Sequence, residues 1–455
     1  MSLPGELPAD EPIVAPAVTM SSLSFEVSSR VLRPGAPRWW WIGFGFSFAL
    51  FILLVIQLAW LFIFGIGVWG VNIPVAWGFA ISEYVWWIAL ASGGTIISAL
   101  FHITRQPWRA ATNRIAETML LSAIPCAGLM PIMHLGRQGL FYWLFPYSSV
   151  MGVWPQVRSP LWWDFICLFC YILMSIMYYY AGLLPDFATV RDLARSRFKQ
   201  IFYGVLALGW RGSSRGWRNH TIVYAIMSAI MAPMVVSVHS VVGLDYAGGL
   251  TTGWHDTQFP PYFFFGAVIS GTAVIVMLTI IVRWGYRLQD VITQYHLNAM
   301  AKVILVGSLL LAYAYLWEAF GSIYGSDIAE YTEYMHRMFG FTAAGFWAEK
   351  VLVVIIPQLL WLPAVRRNQT MLFLISGGII VGMWIERYVF TTASLEHNYM
   401  PSSWGLFYPT FWDWAALAGT IGLFLTMFFV LIRLVPIVSM AEVRDIIEKK
   451  KRGEA

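Results

Sequence analysis

The chain has 455 residues, of which 59% are hydrophobic and only 12% charged, with a formal net charge of +5 and a mean hydropathy of +0.66. Soluble domains carry about 25% charged residues, so an ordinary soluble domain is excluded and no nucleic-acid partner is expected. Cys126, Cys167 and Cys170 are too few for a disulfide framework, and the absence of a CxxCH motif argues against covalent c-type haem.

Residues 1–38 hold Pro4, Pro8, Pro12, Pro16, Pro34 and Pro37 with little periodicity, which predicts a flexible tail. The segment lacks the basic start and small-residue cleavage site of a signal peptide, so the first helix is expected to be retained. A span needs about 20 apolar residues. On that scale hydropathy predicts ten membrane helices, near 39–66, 76–103, 113–134, 160–183, 220–242, 260–282, 298–320, 345–364, 370–388 and 411–435. The apolar stretch 198–210 (FKQIFYGVLALGW) is too short to span and is expected at the interface, beside the basic residues of its loop. Residues 436–455, ending EKKKRGEA, read as a second tail whose helical part carries a basic end. The aromatic run FYWLFPY at 141–147 fits an interfacial belt or a docking surface for another subunit.

Ten spans place both termini on one side. If that side is inside, 24 of the 29 Lys and Arg fall on the inner half, leaving Arg137, Arg158, Arg337, Lys350 and Arg387 outside. By the positive-inside rule both termini are then cytoplasmic, in a bacterial inner membrane on the family reading given below.

Charge at the bilayer centre costs about 2.5–3.5 kcal/mol on insertion scales. Glu83, His134, Asp164, Glu318, Glu349 and Glu386 nevertheless sit at helix ends, all on the outer side, while the midplane is nearly bare. Transporter sites lie more often at the midplane on broken helices. The distribution points to a cavity opening outward.

An internal repeat divides the chain. A shift of 178 positions pairs Tyr84 with Tyr262, Ala89 with Ala267, Ser92 with Ser270, Gly93 with Gly271 and Arg105 with Arg283; a shift of 185 pairs Trp162 and Asp164 with Trp347 and Glu349. Helices 2–5 (76–242) and 6–9 (260–388) read as two parallel four-helix bundles, with helices 1 and 10 added, inside a membrane domain spanning 39–435.

Ser92, Gly93 and Gly94 remove bulk from helix 2, either for close helix packing, the commoner use, or to leave a slot for a flat ring. His134 ends helix 3 and Asp164 begins helix 4. Such a pair either anchors two helix ends by a hydrogen bond or accepts protons at one cavity. Cys167 and Cys170 form a CxxC inside an apolar helix without a second ligand pair, so they read as packing residues, and no metal site is expected. Glu117 pairs with Arg114 at helical spacing, and His102 lies near the inner interface.

The ten-helix plan, the paired bundles, the SEYVWWIALASGG segment and the His134 and Asp164 constellation resemble the NrfD/polysulfide reductase membrane subunit family. The resemblance is strongest to the larger quinol-oxidising NrfD-like subunit of bacterial alternative complex III. It implies a site for menaquinol or another quinol in the first bundle near the periplasmic face, with no haem or metal held by this chain. It implies as partners a periplasmic iron–sulfur subunit, multihaem c-type cytochromes and a second NrfD-like membrane subunit. Carried over by position, His134 and Asp164 would contact the quinol head and take its protons, while Ser92, Gly93 and Gly94 line the pocket. Glu83, Arg137, His239 and Arg387 are further candidates on the same side, and Glu318, Glu349 and Glu386 form a candidate proton route in the second bundle. A quinone-reducing anchor of a molybdenum-type reductase and a transporter with parallel repeats are the alternatives.

Overall fold

A computed structural model describes residues 12–144 and 158–452. Among them ten helices are long and apolar enough to cross a membrane: α1 (Arg38–Phe64), α2 (Phe79–Ile103), α3 (Arg109–Met133), α4 (Trp162–Leu193), α5 (Ser214–Ala247), α6 (Phe259–Tyr286), α7 (Gln294–Tyr324), α8 (Ala343–Trp361), α9 (Gln369–Glu396) and α10 (Phe411–Leu434). The described residues contain no strand. Each expected span is present, and the main departures are extensions where polar residues continue a helix beyond its apolar stretch. α4 runs to Leu193, and α5 starts at Ser214 and ends at Ala247.

α2 and α6 form the centre, with 89% and 72% of their most apolar windows buried, against 22% for α1. They cross at Gly93 and Gly271, where a Cβ added to Gly93 would stand 2.2 Å from the Gly271 Cα. These are two residues that the 178-position shift pairs. At Gly94 an added Cβ would stand 2.5 Å from the Ala116 carbonyl oxygen of α3. Both glycines therefore serve close helix approach. α1 packs along α10 at the periphery, and α10 in turn contacts α3.

Three helices carry a single π-helical turn: Ile96–Leu100 in α2, Val351–Ile355 in α8 and Tyr388–Thr392 in α9. Such turns widen the backbone and recur at functional sites. Those in α8 and α9 directly follow Glu349–Lys350 and Glu386–Arg387. The hydroxyls of Thr391 and Ser394 donate to the Arg387 and Phe390 carbonyls, at 2.7 Å each. The helical path of α9 thereby continues past residue 388, where its apolar pattern ends.

The segment expected to be a flexible tail contains a helix, Met20–Leu32, opened by a Thr19 and Ser22 capping box. Leu23, Val27 and Val31 form its buried stripe at four-residue spacing, a signal outweighed in sequence by the flanking prolines. It contacts the helix Met440–Arg452, and Arg444 reaches Ser24 Oγ at 3.1 Å. Both terminal helices therefore lie at the same end of the helix array, the end expected from the Lys and Arg distribution to face inward. Residues 145–147 of the aromatic run, and 1–11 and 453–455 of the tails, lie outside the described residues. Arg197–Leu206 is an amphipathic helix too short to span, in keeping with the interfacial position read for its segment.

On the inner face Arg114 bridges Glu117 at 2.5 Å and Asp186 at 2.9 Å. Arg109 holds Glu442 of the C-terminal helix at 2.7 Å. These buried pairs are hydrogen-bonded on several sides: Tyr224 donates to Glu117 at 2.7 Å, and Arg114 also donates to the Gly182 carbonyl at 2.9 Å. Such satisfaction is what a buried ion pair requires.

Candidate functional site

One end of helices α2–α5, the end expected to face outward, gathers titratable groups from three of them. Tyr84 lies in the first turns of α2, Asp164 at the start of α4 and Asp245 near the end of α5; each interacts electrostatically with the other two. The Tyr84 hydroxyl, Oδ1 of Asp164 and both carboxyl oxygens of Asp245 are buried without a well-aligned hydrogen bond, their nearest polar partners being one another. Buried polar atoms are nearly always paired, so a cluster of orphans marks a space suited to a polar ligand or ordered water.

The cluster extends towards the second bundle. Tyr246, next in α5, neighbours Asp164, Asp245 and Arg387. Arg387 of α9 is fully buried, and its three guanidinium nitrogens make no hydrogen bond. Its Nε stands 3.2 Å from Glu386 Oε2, and its guanidinium carbon lies 4.4 Å from the centre of the Phe263 ring. Gly266 makes room, since a Cβ there would stand 2.3 Å from Arg387 Nη2. His239, also fully buried with both ring nitrogens unpartnered, faces Arg387.

The other sequence candidates separate. His134 caps the end of α3, half-buried, with Nδ1 buried and unpartnered, and no interaction among the described residues joins it to Asp164. Arg137 is exposed. Glu83 is fully buried, but its neighbours are Asp413 and Cys126, which places it between α2, α3 and α10, apart from Tyr84. Ser92 is buried two turns below Tyr84 with its hydroxyl unpartnered, while Gly93 and Gly94 lie at the helix crossings already described. Asp245 escapes sequence reasoning because Gly243, Gly248 and Gly249 end the apolar pattern and leave it in an apparent loop. The available signal was HSVVGLDY, an acid and a tyrosine one to two turns beyond His239.

The second bundle holds a separate polar cavity. Its lining includes Tyr262, Glu318, Arg337, Glu349, Lys350 and Glu386, and its volume of about 10 Å³ suits a water molecule rather than a ring. The three expected acids of the proton route therefore meet in one space. Arg337 donates to Glu318 at 2.8 Å, Lys350 to Glu349, and the Tyr262 and Tyr315 hydroxyls to Glu386, the latter at 3.1 Å. The Lys350 ammonium also lies 3.5 Å from the centre of the Tyr315 ring. Among the described residues no group of three or more His, Cys, Asp or Glu could hold a metal ion.

Ten candidate spans with buried titratable groups gathered towards one end define a polytopic membrane protein. The chain belongs to the polysulphide reductase, NrfD family, whose profile matches residues 67–396. It is 28% identical over 240 residues to a putative dimethyl sulfoxide reductase membrane subunit of Halobacterium salinarum, covering 49% of this chain and 50% of that protein. It is 20% identical over 384 residues to a selenate reductase subunit of Mesobacillus selenatarsenatis, covering 80% of this chain and 86% of that protein. The chain thus matches about half the length of the first relative and most of the second.

Proposed function

We propose that this chain is the quinol-reactive membrane subunit of a respiratory oxidoreductase complex. In this reading it oxidises a quinol at the outer end of the first bundle and passes electrons to an iron–sulfur partner. The observation that carries the reading is the orphaned cluster of Tyr84, Asp164 and Asp245, with His239 and Arg387 beside it. These groups fit a quinol head: carboxylates accept protons from its hydroxyls, while a buried cation and a tyrosine hydroxyl orient its oxygens. Oxidation breaks two O–H bonds and releases two protons and two electrons. The Asp164 and Asp245 pair, in which ionising both carboxyls at once is disfavoured, takes the protons one after the other and passes each on before accepting the next, and the electrons leave to the partner. His134, half-buried near the same face, is the candidate for relaying protons outward.

Both relatives are named as subunits of reductases. A reductase consumes electrons, which supports a molybdenum-type reductase as the assembly and quinol oxidation as the direction of flow. Membership of an alternative complex III, working with multihaem cytochromes and a second NrfD-like protein, is the second reading; the ten spans favour it. Glu318, Glu349 and Glu386 in the water-sized cavity are proposed to carry protons rather than bind quinol. The test is quinol-dependent reduction of the acceptor by the assembled complex. Asp164→Asn, Asp245→Asn and His134→Ala are expected to abolish it with assembly intact, and full turnover in the two aspartate variants would overturn the site. Iron–sulfur and molybdenum proteins co-purifying without multihaem cytochromes would separate the first assembly from the second.

A further inference from the structure

Beside the second-bundle cavity, on the outer face, lies a group of residues that the proposed mechanism does not use. The helix Ile328–Phe339 carries Glu333, His336 and Arg337, and the segment after α9 carries His397 and Trp404. Arg337 is the shared wall: its Nη1 donates to Glu318 of the cavity at 2.8 Å, while its Nε stands 3.5 Å from Glu333 Oε1. The other Glu333 oxygen stands 3.6 Å from Nδ1 of His397. The His397 ring stacks on His336 at 4.1 Å between centroids, tilted by 16°, and both rings meet Trp404 edge-on at 4.8 and 5.2 Å. Glu333 is 1% exposed and its oxygens make no well-aligned hydrogen bond, with the Ser394 hydroxyl its nearest neutral polar neighbour, whereas the two histidines are half-buried. The polar path therefore runs from the water-sized cavity, past the buried Glu333 carboxyl, to a pair of half-buried imidazoles.

Charge balance says what this path carries. The carboxyls of Glu318, Glu333, Glu349 and Glu386 face three cations, Arg337, Lys350 and Arg387. With Glu330 and Glu396 close by, carboxyls outnumber cations, so the cluster approaches neutrality only by holding protons, which a low-dielectric interior strongly favours. Burial pushes Glu333 up to about 8, against the pull of Arg337, with Glu330 and Glu396 as further acids nearby. Burial and the neighbouring His336 push His397 down to about 4, leaving it neutral with a lone pair to accept.

We propose that Glu333, His397 and His336 form the outer port through which the carboxyl cavity of the second bundle exchanges protons with the aqueous phase. In an outward step the Glu333 O–H bond breaks as N–H forms at His397 Nδ1. The imidazolium then loses its Nε2 proton to water, and water carries a proton from the cavity acids past the Arg337 guanidinium to restore Glu333. A ring flip or proton exchange with solvent returns a free Nδ1 lone pair to His397 before the next step. His336 shields the port and supplies a second acceptor at the surface. Trp404 holds the two rings in register.

This inference deepens the proton-carrying role proposed above for Glu318, Glu349 and Glu386. Its test needs no quinone. In resting protein in lipid nanodiscs, infrared spectroscopy of the carboxyl C=O band follows hydrogen–deuterium exchange of the buried acid after transfer to D2O. Exchange is expected to slow at least several-fold in His397→Ala and to recover when free imidazole is added. Glu333→Gln is expected to remove or shift part of the band and to slow exchange of what remains. His397→Gln, which keeps a polar side chain but no titratable ring, is read in the same way should the alanine variant fail to fold. Exchange at the wild-type rate in the His397 variants, or slow exchange that imidazole does not restore, would overturn the port. Absence of quinol activity in the wild-type complex, with imidazole-rescued exchange in His397→Ala, would overturn the proposed function and leave the port standing.

Discussion

Under the proposed function, burial is what would make Asp164 and Asp245, an ordinary residue type, reactive. Both are acids at helix ends, a common placement, but together with Tyr84 they leave four buried oxygens unsatisfied. A positioned base contributes about 10²–10⁴ in rate, so each aspartate-to-asparagine change is expected to lower turnover by at least 100-fold on that scale, with little change in apparent quinol affinity. Glu349→Gln should act differently, reducing proton release while leaving KM near the wild-type value; a large rise in KM with unchanged proton stoichiometry would refute that division. Glu333 supplies a prediction of stability. Its carboxyl is raised to about 8 in the folded protein, against about 4.3 when unfolded. Between those values the folded state holds a proton that the unfolded state has released, so stability falls as pH rises towards 8 and levels off above it. Thermal denaturation in detergent from pH 5 to 9 should show this decline in wild type and a flatter profile in Glu333→Gln, which mimics the protonated carboxyl. The residue-level site was half legible in sequence. Asp164, His239 and Arg387 are recognisable as costly polar residues near helix ends, whereas Asp245 is hidden by glycines and Glu83 turns out to face α10.

At the scale of elements, small residues decide how closely the helices approach. The Gly93 and Gly271 contact brings α2 and α6 to backbone distance, which a side chain on either helix would prevent. Gly93→Ala is expected to destabilise the protein by about 1–3 kcal/mol through overpacking, read as a lower melting temperature. Gly45→Ala in α1, where an added Cβ meets nothing within 4 Å, should be neutral or stabilising, since alanine is the better helix former. The π turns after Glu349–Lys350 and Glu386–Arg387 widen α8 and α9 beside the cavity. Helix count and order were readable from hydropathy because each span needs a long apolar run. The π turns and the Met20–Leu32 helix were not, because local hydrogen bonds and packing against the C-terminal helix determine them.

For the whole molecule, the even number of spans and the contact between the two terminal helices place both described ends on one face. With 24 of 29 Lys and Arg assigned to that half, it is expected to be cytoplasmic. In a background with Cys167 and Cys170 replaced by alanine, Ser21→Cys and Glu448→Cys should label from the cytoplasmic side and Tyr399→Cys from the opposite side. Labelling of all three from one side would refute the topology. The same arrangement separates the labour: a first-bundle site of orphaned groups, a second-bundle cavity of paired ones, and Arg387 buried between them.

The sequence by itself determined the membrane class, the ten spans, the outward bias of the acids and the cationic inner half. The class and the spans follow from the energetic cost of placing polar groups in hydrocarbon, which acts residue by residue along the chain, while the inward and outward assignment remains the expectation that the labelling experiment tests. Only the tertiary structure decided which acids share a space. It set Asp245 rather than His134 beside Asp164, turned Glu83 towards α10, and joined Glu318, Glu349 and Glu386 in one cavity. The reason is that helix rotation and crossing depend on side-chain packing between distant segments, as where Gly93 meets Gly271. Hydropathy along one helix carries no record of that contact.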